Sequence, residues 1–196
     1  MEFALTFIRG TFTGEGKENR FLGRIDRPAH PGGLALLRDR AARGEYPRAD
    51  AVFSSPLTRS MDSARAIYGH AGIAVLEQLT AFDYGDFSGK SYSEIATDKQ
   101  FAHWADDAQL SAFPGGEAPY AFTNRCSETL REMIAHAQER GLQNVSVVTH
   151  QSVIGAILQR HSIPSCLYTN HHLDYGDALT TVCNAESEAL KVRETF

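Results

Sequence analysis

Three positions in the sequence carry residue types that bind anions or move protons, namely Arg9, Arg59 and His150. Arg9 directly follows the apolar run 3–8, and His150 directly follows the apolar run 144–149. A guanidinium presents a fork of N–H donors that matches the oxygens of a phosphate or a carboxylate. A histidine exchanges a proton near neutral pH. Together these residues predict an anion pocket that holds a potential acid or base.

The composition indicates which partners are expected. The chain has 196 residues, of which 42% are hydrophobic and 22% charged, and this fits one globular domain, 1–196. The net charge of −5 gives no general attraction to nucleic acid or to an anionic membrane, so an anionic ligand must be drawn by a local arginine cluster. We find neither an apolar run of about 18 residues nor a signal-like N-terminus, and therefore expect a cytoplasmic protein.

The cysteines and one histidine pair are residue types that can carry metal or redox chemistry. Cys126, Cys166 and Cys183 are odd in number and lack metal-ligand or redox spacing, which is typical of structural thiols. His171 and His172 are adjacent in a polar loop without further ligands nearby, so no metal site is predicted there. We expect no cofactor.

Short apolar runs alternate with helical patterns, and this alternation indicates an α/β domain with a largely parallel sheet. The predicted strands are 3–8, 51–55, 73–77 and 144–149, followed by a C-terminal hairpin, 177–183 and 189–195. Apolar residues spaced three or four apart predict helices around 34–41, 57–67, 122–137 and 153–158. Residues 80–121 lack strong periodicity and are expected to form an excursion or lid over the active-site end of the sheet.

Helix ends were also predicted, because they decide where the candidate residues lie. Ser55 and Pro56 are expected to open the second helix, and Gly141 to end the third. In open α/β sheets, ligands bind at the carboxyl ends of the strands. Arg9, Arg59 and His150 follow three such strand ends, and we therefore expect them to meet.

Four blocks of the sequence match a known order of motifs. They are FIRGTFTGEGKENRFLGRID, SSPLTRSMDSARAI, LTAFDYGDFSGKSYSEI with FPGGE, and VSVVTHQSVIGAIL, and they span roughly residues 3 to 160. They resemble R-H-G-E-T with R-x-x-G-x-x-D, S-S-P-L-x-R-A-x-x-T-A, L-x-E-x-D-F-G-x-W-E-G-K with P-G-G-E, and V-V-T-H-G-x-x-I. This order resembles the histidine phosphatase superfamily, in particular its phosphoglycerate mutase-like branch. The resemblance implies a three-layer α/β/α sandwich with a mostly parallel central sheet.

The resemblance also implies roles for the candidate residues. In this family a histidine attacks a phosphoryl group and becomes phosphohistidine, two arginines and a second histidine hold the phosphate oxygens, and a glutamate protonates the leaving oxygen. Carried over by position, Arg9 and Arg59 correspond to the two arginines, and His150 corresponds to the second histidine. The resemblance therefore implies an anion-binding set of these three residues.

The position of the family's nucleophile falls on Gly10. Arg20, Gly23 and Asp26 lie 11, 14 and 17 residues after Arg9, where the family spacing puts them, so no deletion hides a histidine. Glycine is also the easiest residue for a tight turn, which offers a purely structural reason for its presence. In either case, the phosphohistidine route has no nucleophile at this position.

Three further departures fall in the same motifs. The family's acid position corresponds to Ala81, Phe12 replaces the glutamate of the opening motif, and Gly16 replaces a common phosphate-binding asparagine. Nucleophile and acid are thus both missing, which favours natural divergence. The absence of these two larger side chains from one pocket would also make room there for a bulkier ligand.

Nearby hydroxyls are the candidate replacement nucleophiles. They belong to Thr11, Thr13, Ser54 and Ser55, and a hydroxyl nucleophile needs a base within hydrogen-bond reach. His150 is the obvious base. This alternative requires one of the four hydroxyls to lie beside the imidazole.

The segment FPGGE carries the substitute acid that the sequence offers. Glu117 is the glutamate that we expect at the pocket edge, and Arg125 together with this segment is expected to support or cover the pocket. Glu117 and His150 are therefore the candidate catalytic residues if a proton is moved at this site.

The sequence is compatible with three hypotheses about function. In the first, the protein is a pseudophosphatase that keeps the pocket of Arg9, Arg59 and His150 for a small anionic or phosphorylated metabolite without phosphohistidine catalysis. In the second, it is an enzyme of another reaction class, in which His150 acts as acid or base on an anionic substrate. In the third, it is a non-catalytic interaction protein. The sequence leaves the oligomeric state open, a homodimer included.

Overall fold

The computed structural model of the protein describes residues 1–14, 20–70, 72–106, 111–165 and 172–195. Gly16, Cys166 and His171, which the sequence analysis considered, lie outside these ranges. Within them, none of the helices combines the length and the apolarity that a membrane-spanning helix requires.

One mixed sheet forms the centre of the fold. Its strands are β1 (Glu2–Arg9), β2 (Ala51–Ser54), β3 (Ile73–Val75), β4 (Asn144–Thr149), β5 (Ala178–Asn184) and β6 (Ala189–Thr195), in the order β3-β2-β4-β1-β5-β6. The first four strands in this order run parallel, whereas β5 is antiparallel to both β1 and β6. The predicted largely parallel sheet and its C-terminal hairpin are therefore confirmed.

The helices cover both faces of the sheet. They are α1 (Pro31–Ala42), α2 (Thr58–Tyr68), α3 (Tyr92–Ile95), α4 (Lys99–Asp106), α5 (Pro119–Arg140) and α6 (Gln151–His161). Successive side chains of β1 point to opposite faces of the sheet. Phe7 packs in the apolar core below α5 and α6. Its neighbour Ile8 packs with Leu37 and Ala64 below α1 and α2. This is the expected three-layer α/β/α sandwich.

One helix start differs from the prediction. α2 begins at Thr58 after Leu57, and not at Pro56 after a Ser55 cap. The carboxylate of Asp26 accepts both the backbone N–H and the hydroxyl of Thr58 at 2.7 Å, so a distant loop supplies the cap. Gly141, by contrast, ends α5 in the left-handed conformation at φ 63°, as predicted.

Residues 80–121 pack on the sheet through aromatic side chains. Phe82, Tyr84, Phe87 and Phe113 form edge-to-face pairs with ring centroids 5.2 to 6.1 Å apart. The short helices α3 and α4 belong to this segment, which the sequence pattern did not separate into elements. The packing fixes Ala81 and Tyr84 next to the strand ends.

Candidate functional site

A cavity of about 250 Å³ opens at the carboxyl ends of β1 and β4. Its wall combines the residues that follow β1, the loop at 20–23, the first turn of α2 and the first turn of α6. The residues that border it and are used below are Arg9, Gly10, Thr11, Phe12, Thr13, Arg20, Phe21, Leu22, Arg59, Ser60, Ala81, Tyr84, His150, Gln151 and Tyr175. The three residues of the predicted anion set therefore border one cavity.

Arg9 is held in place by the segment that leads into β5. Its Nη1 atom donates to the carbonyl oxygen of Leu173 at 2.5 Å and lies 3.3 Å from Nε2 of His172. The ring of Tyr175 stacks against the guanidinium, whose carbon atom lies 3.9 Å from the ring centroid. These contacts fix the charge at the rim of the cavity before any ligand binds.

Arg59 is buried at the second position of α2. Its Nη2 and Nη1 atoms donate to the carbonyl oxygens of Gly23 and Ile25 at 2.7 and 2.8 Å. Burial lowers the pKa of Arg59, and Asp26 partly offsets this effect, yet a guanidinium stays charged at neutral pH. Two carbonyl oxygens therefore orient a buried positive charge that borders the cavity.

His150 is the residue at the N-terminal cap of α6, directly after β4. Its Nε2 atom lies 2.9 Å from the hydroxyl oxygen of Ser55 and 3.4 Å from that of Ser60. Part of the imidazole surface faces the cavity. The pKa of His150 nevertheless lies well below its usual value, because burial disfavours the charged imidazole and because Arg59 and two other arginines repel its positive charge. The imidazole is therefore neutral at pH 7.

Gly10 lies beside this histidine because β1 and β4 are neighbours. Arg9 is paired with Thr149 in the sheet, and the N–H of Gly10 donates to the carbonyl oxygen of Thr149 at 2.9 Å. The φ angle of Gly10 is outside the left-handed region, and a Cβ atom here would meet its nearest neighbour, Ser63 Oγ, at 3.4 Å. The turn therefore does not require glycine, so the structural reason for Gly10 is not supported.

Ala81 borders the cavity with 5% of its surface exposed. Arg125 holds its segment by donating to the carbonyl oxygens of Gln78, Thr80 and Ala81 at 2.6, 2.9 and 3.0 Å. The expected supporting role of Arg125 thus has a specific structural basis. Whether the segment also covers the pocket as a lid stays a prediction.

Glu117, the candidate acid, is engaged elsewhere. Its carboxylate forms a two-point salt bridge with Arg125 at 2.6 and 2.9 Å and lies 3.3 Å from Arg24. It does not contribute to the described wall of the cavity. Its carboxylate oxygens are engaged by two guanidinium groups outside this wall, so the geometry argues against Glu117 as a proton donor at the cavity.

The candidate hydroxyls divide into two groups. All four residues are buried, but Thr11 and Thr13 border the cavity, whereas Ser54 and Ser55 do not contribute to its described wall. Only Ser55 among these four has a described hydrogen bond to the imidazole of His150. A position at the cavity wall and contact with the base therefore fall on different residues.

Several residues of the site were missed by the sequence analysis, and Ser60, Gln151 and Tyr175 show why. Ser60 follows Arg59 at a position where the resembled motif has alanine, which was the available signal for it. Gln151 follows His150 where the motif has glycine, and its side-chain oxygen accepts the N–H of Leu173 at 3.1 Å. Tyr175 had no motif signal, because its position over the cavity depends on the path of the loop before β5.

Within the described ranges, no group of three or more histidine, cysteine, aspartate or glutamate side chains is arranged to hold a metal ion. Cys126 and Cys183 are buried free thiols, and burial raises the pKa of each to about 12. These thiols are therefore protonated and unreactive at neutral pH.

The fold and the cavity together define an α/β protein with arginines and a neutral histidine at the carboxyl ends of neighbouring parallel strands. The chain belongs to the histidine phosphatase superfamily (branch 1), whose family model matches residues 5–193. No curated protein matches this chain.

Solved structures share the fold along nearly the whole chain. Alpha-ribazole phosphatase from Shigella flexneri is 19% identical, with 97% of this chain and 95% of that chain covered and a TM-score of 0.84. Mycobacterial glucosyl-3-phosphoglycerate phosphatase is 19% identical, with 98% and 97% covered and a TM-score of 0.78. Phosphoglycerate mutase from Thermus thermophilus is 24% identical, with 99% and 98% covered and a TM-score of 0.71. At these identities the likeness establishes the fold.

Proposed function

We propose that this protein binds a small molecule through a phosphate or carboxylate group and does not perform phosphohistidine chemistry. The observation that carries the proposal is that Arg9, Arg59 and His150 border the same cavity as Gly10. The first three supply charge and hydrogen bonds for an anion, whereas the position of the nucleophile has no side chain. The phosphatase and mutase activities that the structural relatives are named for are thus not expected here.

The charges around the cavity favour an anion. Among the described residues of its wall there are three arginines, Arg9, Arg20 and Arg59, and no aspartate, glutamate or lysine. Arg20 is partly balanced by Glu94 at 2.8 Å, whereas the buried Arg59 is oriented by neutral carbonyl oxygens. A charge held by carbonyl oxygens and shielded from water attracts an anion more strongly than an exposed one. This supports a pocket organised for an anionic group.

The missing acid supports the loss of chemistry independently of Gly10. Ala81 has no proton to give to a leaving oxygen, and Glu117 is held in salt bridges away from the cavity wall. An unactivated phosphate ester needs both a nucleophile and a proton for its leaving group. Two required groups are therefore absent from the positions that the resemblance assigns to them.

A second candidate function is proton transfer by His150 in an enzyme of another reaction class. The observation that favours it is the contact of the neutral imidazole with two hydroxyls, those of Ser55 and Ser60. A neutral imidazole can accept a proton from a hydroxyl. Both serines are fully buried, but Ser60 borders the cavity and Ser55 does not, so Ser60 is the better placed of the two hydroxyls.

Calorimetric titration with inorganic phosphate tests the first proposal. Arg9→Ala and Arg59→Ala should each weaken binding more than about fivefold, the effect expected for losing an exposed ion pair of about 1 kcal/mol. Arg38→Ala is the matched control, because it removes the same charge from an exposed position on α1 that does not border the cavity. Thermal unfolding of each variant verifies that it is folded.

Equal phosphate affinity in the wild type and in a folded Arg59→Ala protein would contradict the anion pocket, and no binding at all would favour the interaction-protein hypothesis.

Assays with 4-nitrophenyl phosphate and 4-nitrophenyl acetate address the second candidate. If His150→Gln and Ser60→Ala each abolish turnover, the result supports proton transfer by His150. If turnover survives both substitutions, it excludes His150 and Ser60 from the reaction.

A further inference from the structure

The cavity is larger than an inorganic anion requires. A volume of about 250 Å³ is many times the roughly 10 to 15 Å³ that a cavity needs to hold one water molecule. A phosphate ion has five non-hydrogen atoms, so much of this space remains when phosphate lies against Arg9 and Arg59. The rest of the cavity therefore has room for the group that carries the anion.

The cavity wall combines polar side chains, among them Thr11, Thr13, Ser60 and Gln151, with an apolar and mostly aromatic part. The apolar part is formed by Phe12, Phe21, Leu22, Ala81, Tyr84 and Tyr175. Phe12 and Tyr175 form an edge-to-face pair with centroids 5.8 Å apart, and Phe21 and Tyr84 form another at 5.0 Å. Ordered aromatic pairs offer ring faces and edges that bind flat apolar groups.

The aromatic wall is directly connected to the anion site. Tyr175 stacks on the guanidinium of Arg9 at 3.9 Å and forms the edge-to-face pair with Phe12. The substituent of an anion bound at Arg9 therefore has the Phe12–Tyr175 pair beside it. Sugar hydroxyls packed against the phenyl ring would gain no hydrogen-bond partners from it, so this part of the wall favours an apolar ring over a polyhydroxylated substituent.

Two of the apolar residues replace carboxylates of the resembled motifs, because Phe12 stands at a glutamate position and Ala81 at the acid position. Both border the cavity, as does Gly10. The changes remove two negative charges that would repel an anion and leave apolar surface in their place. The same three positions thus account for lost phosphoryl chemistry and for a roomier, more apolar pocket.

We propose that the ligand is a small molecule whose phosphate or carboxylate group is attached directly, or through a short link, to an aromatic or heteroaromatic ring. The anion binds at Arg9 and Arg59, and the ring packs against Phe12 and Tyr175. This inference rests on the proposed function, because it requires the anion pocket.

Titration calorimetry with inorganic phosphate, methylphosphonate, phenylphosphonate and glycerol phosphate tests the inference, since the phosphonates have no ester bond to hydrolyse. The wild type should bind phenylphosphonate at least about tenfold more tightly than methylphosphonate or glycerol phosphate. Phe12→Ala should reduce this preference, the ratio of the phenylphosphonate and methylphosphonate affinities, severalfold. Phe12→Leu, which keeps apolar bulk without the ring, should reduce it as well. Tyr92→Ala is the matched control, because this exposed aromatic residue does not border the cavity.

The outcomes separate the two proposals. If none of the four probes binds, the proposed function fails. If phosphate binds but phenylphosphonate is no tighter than methylphosphonate or glycerol phosphate, the ring proposal alone is overturned. A preference for phenylphosphonate that is unchanged in folded Phe12→Ala protein would also overturn it, because the ring would then bind elsewhere.

Discussion

The Nε2 atom of His150 lies 2.9 Å from the hydroxyl oxygen of Ser55, and this contact holds the imidazole at the edge of the cavity. The pKa of His150 is far below its usual value, because the imidazole is buried and positive charges lie near it. The ligand-free protein therefore contains a neutral histidine that gains a proton more easily once an anion is bound.

This relationship predicts pH-dependent anion binding. Sulfate should raise the pKa of His150, so binding takes up a proton and strengthens as the pH falls. The affinity begins to rise once the pH falls below the pKa of His150 in the sulfate-bound protein. It levels off once the pH falls below the lower pKa of His150 in the free protein. Its slope should not exceed about tenfold per pH unit, the limit for one coupled proton.

Calorimetric titration with sulfate between pH 8 and pH 5 measures this dependence, because sulfate itself does not titrate in that range. His150→Gln keeps a side chain that can bond to Ser55 but cannot be protonated, and should flatten the curve. An unchanged pH dependence in the His150→Gln protein would show that another group takes up the proton.

Two glycine-to-alanine substitutions test whether Gly10 is required by the backbone. Gly10→Ala should leave the free energy of unfolding unchanged or raise it by up to about 1 kcal/mol, because its φ is ordinary and a Cβ has normal contacts. Gly85→Ala should lower it by more than that, because its φ is +51° and a Cβ would collide with the backbone of Pro114. Urea unfolding measures both effects.

A loss of more than about 1 kcal/mol in the Gly10→Ala protein would contradict this interpretation. Glycine would then be needed by the fold, and its presence would not indicate a change of chemistry.

Removing one partner of the salt bridge between Glu117 and Arg125 should destabilise the fold strongly, because each side chain is only 10% exposed. Glu117→Ala should lower the free energy of unfolding by about 3 kcal/mol, since it leaves a buried guanidinium without its carboxylate. Arg131→Ala breaks the more exposed pair with Glu188 and should cost less than about 1 kcal/mol. Urea unfolding of the two variants compares them. Similar small losses for both would show that the Glu117 pair contributes little to stability.

The proximity of Arg9 and His150 could be predicted from the sequence, because each residue ends or follows a strand and the two strands are neighbours in the sheet. Neighbouring parallel strands place their carboxyl ends side by side, whatever their side chains are. The start of α2 was misjudged, because its cap comes from Asp26, 32 residues before Thr58. Such caps depend on the path of a loop, which local propensity does not specify.

The same limit applies to two other residues. Glu117 was expected at the cavity, but nothing in the local sequence showed that Arg125 would bind both of its carboxylate oxygens. Tyr175 lies over Arg9 because the loop before β5 returns to the end of β1. Contacts between distant segments therefore decided which side chains border the cavity.

Rebuilding the missing groups provides the final prediction. Gly10→His places a nucleophile where a Cβ fits, and Ala81→Glu adds an acid at the cavity wall. The two changes should be strongly non-additive, because an acid without a nucleophile has nothing to assist. Gly10→His alone should react only with an activated phosphate ester or anhydride, whose leaving group needs no proton.

The most direct test is trapping of a phosphoenzyme with radiolabelled acetyl phosphate, applied in parallel to the wild type, to Gly10→His and to the double variant. Phosphate titration first shows that each protein is folded and binds the anion. We predict no acid-labile label on the wild type and label on the new histidine in both variants. Acid-labile label on the wild type would reveal an intact nucleophile and contradict the account, as would variants that bind phosphate but never acquire label.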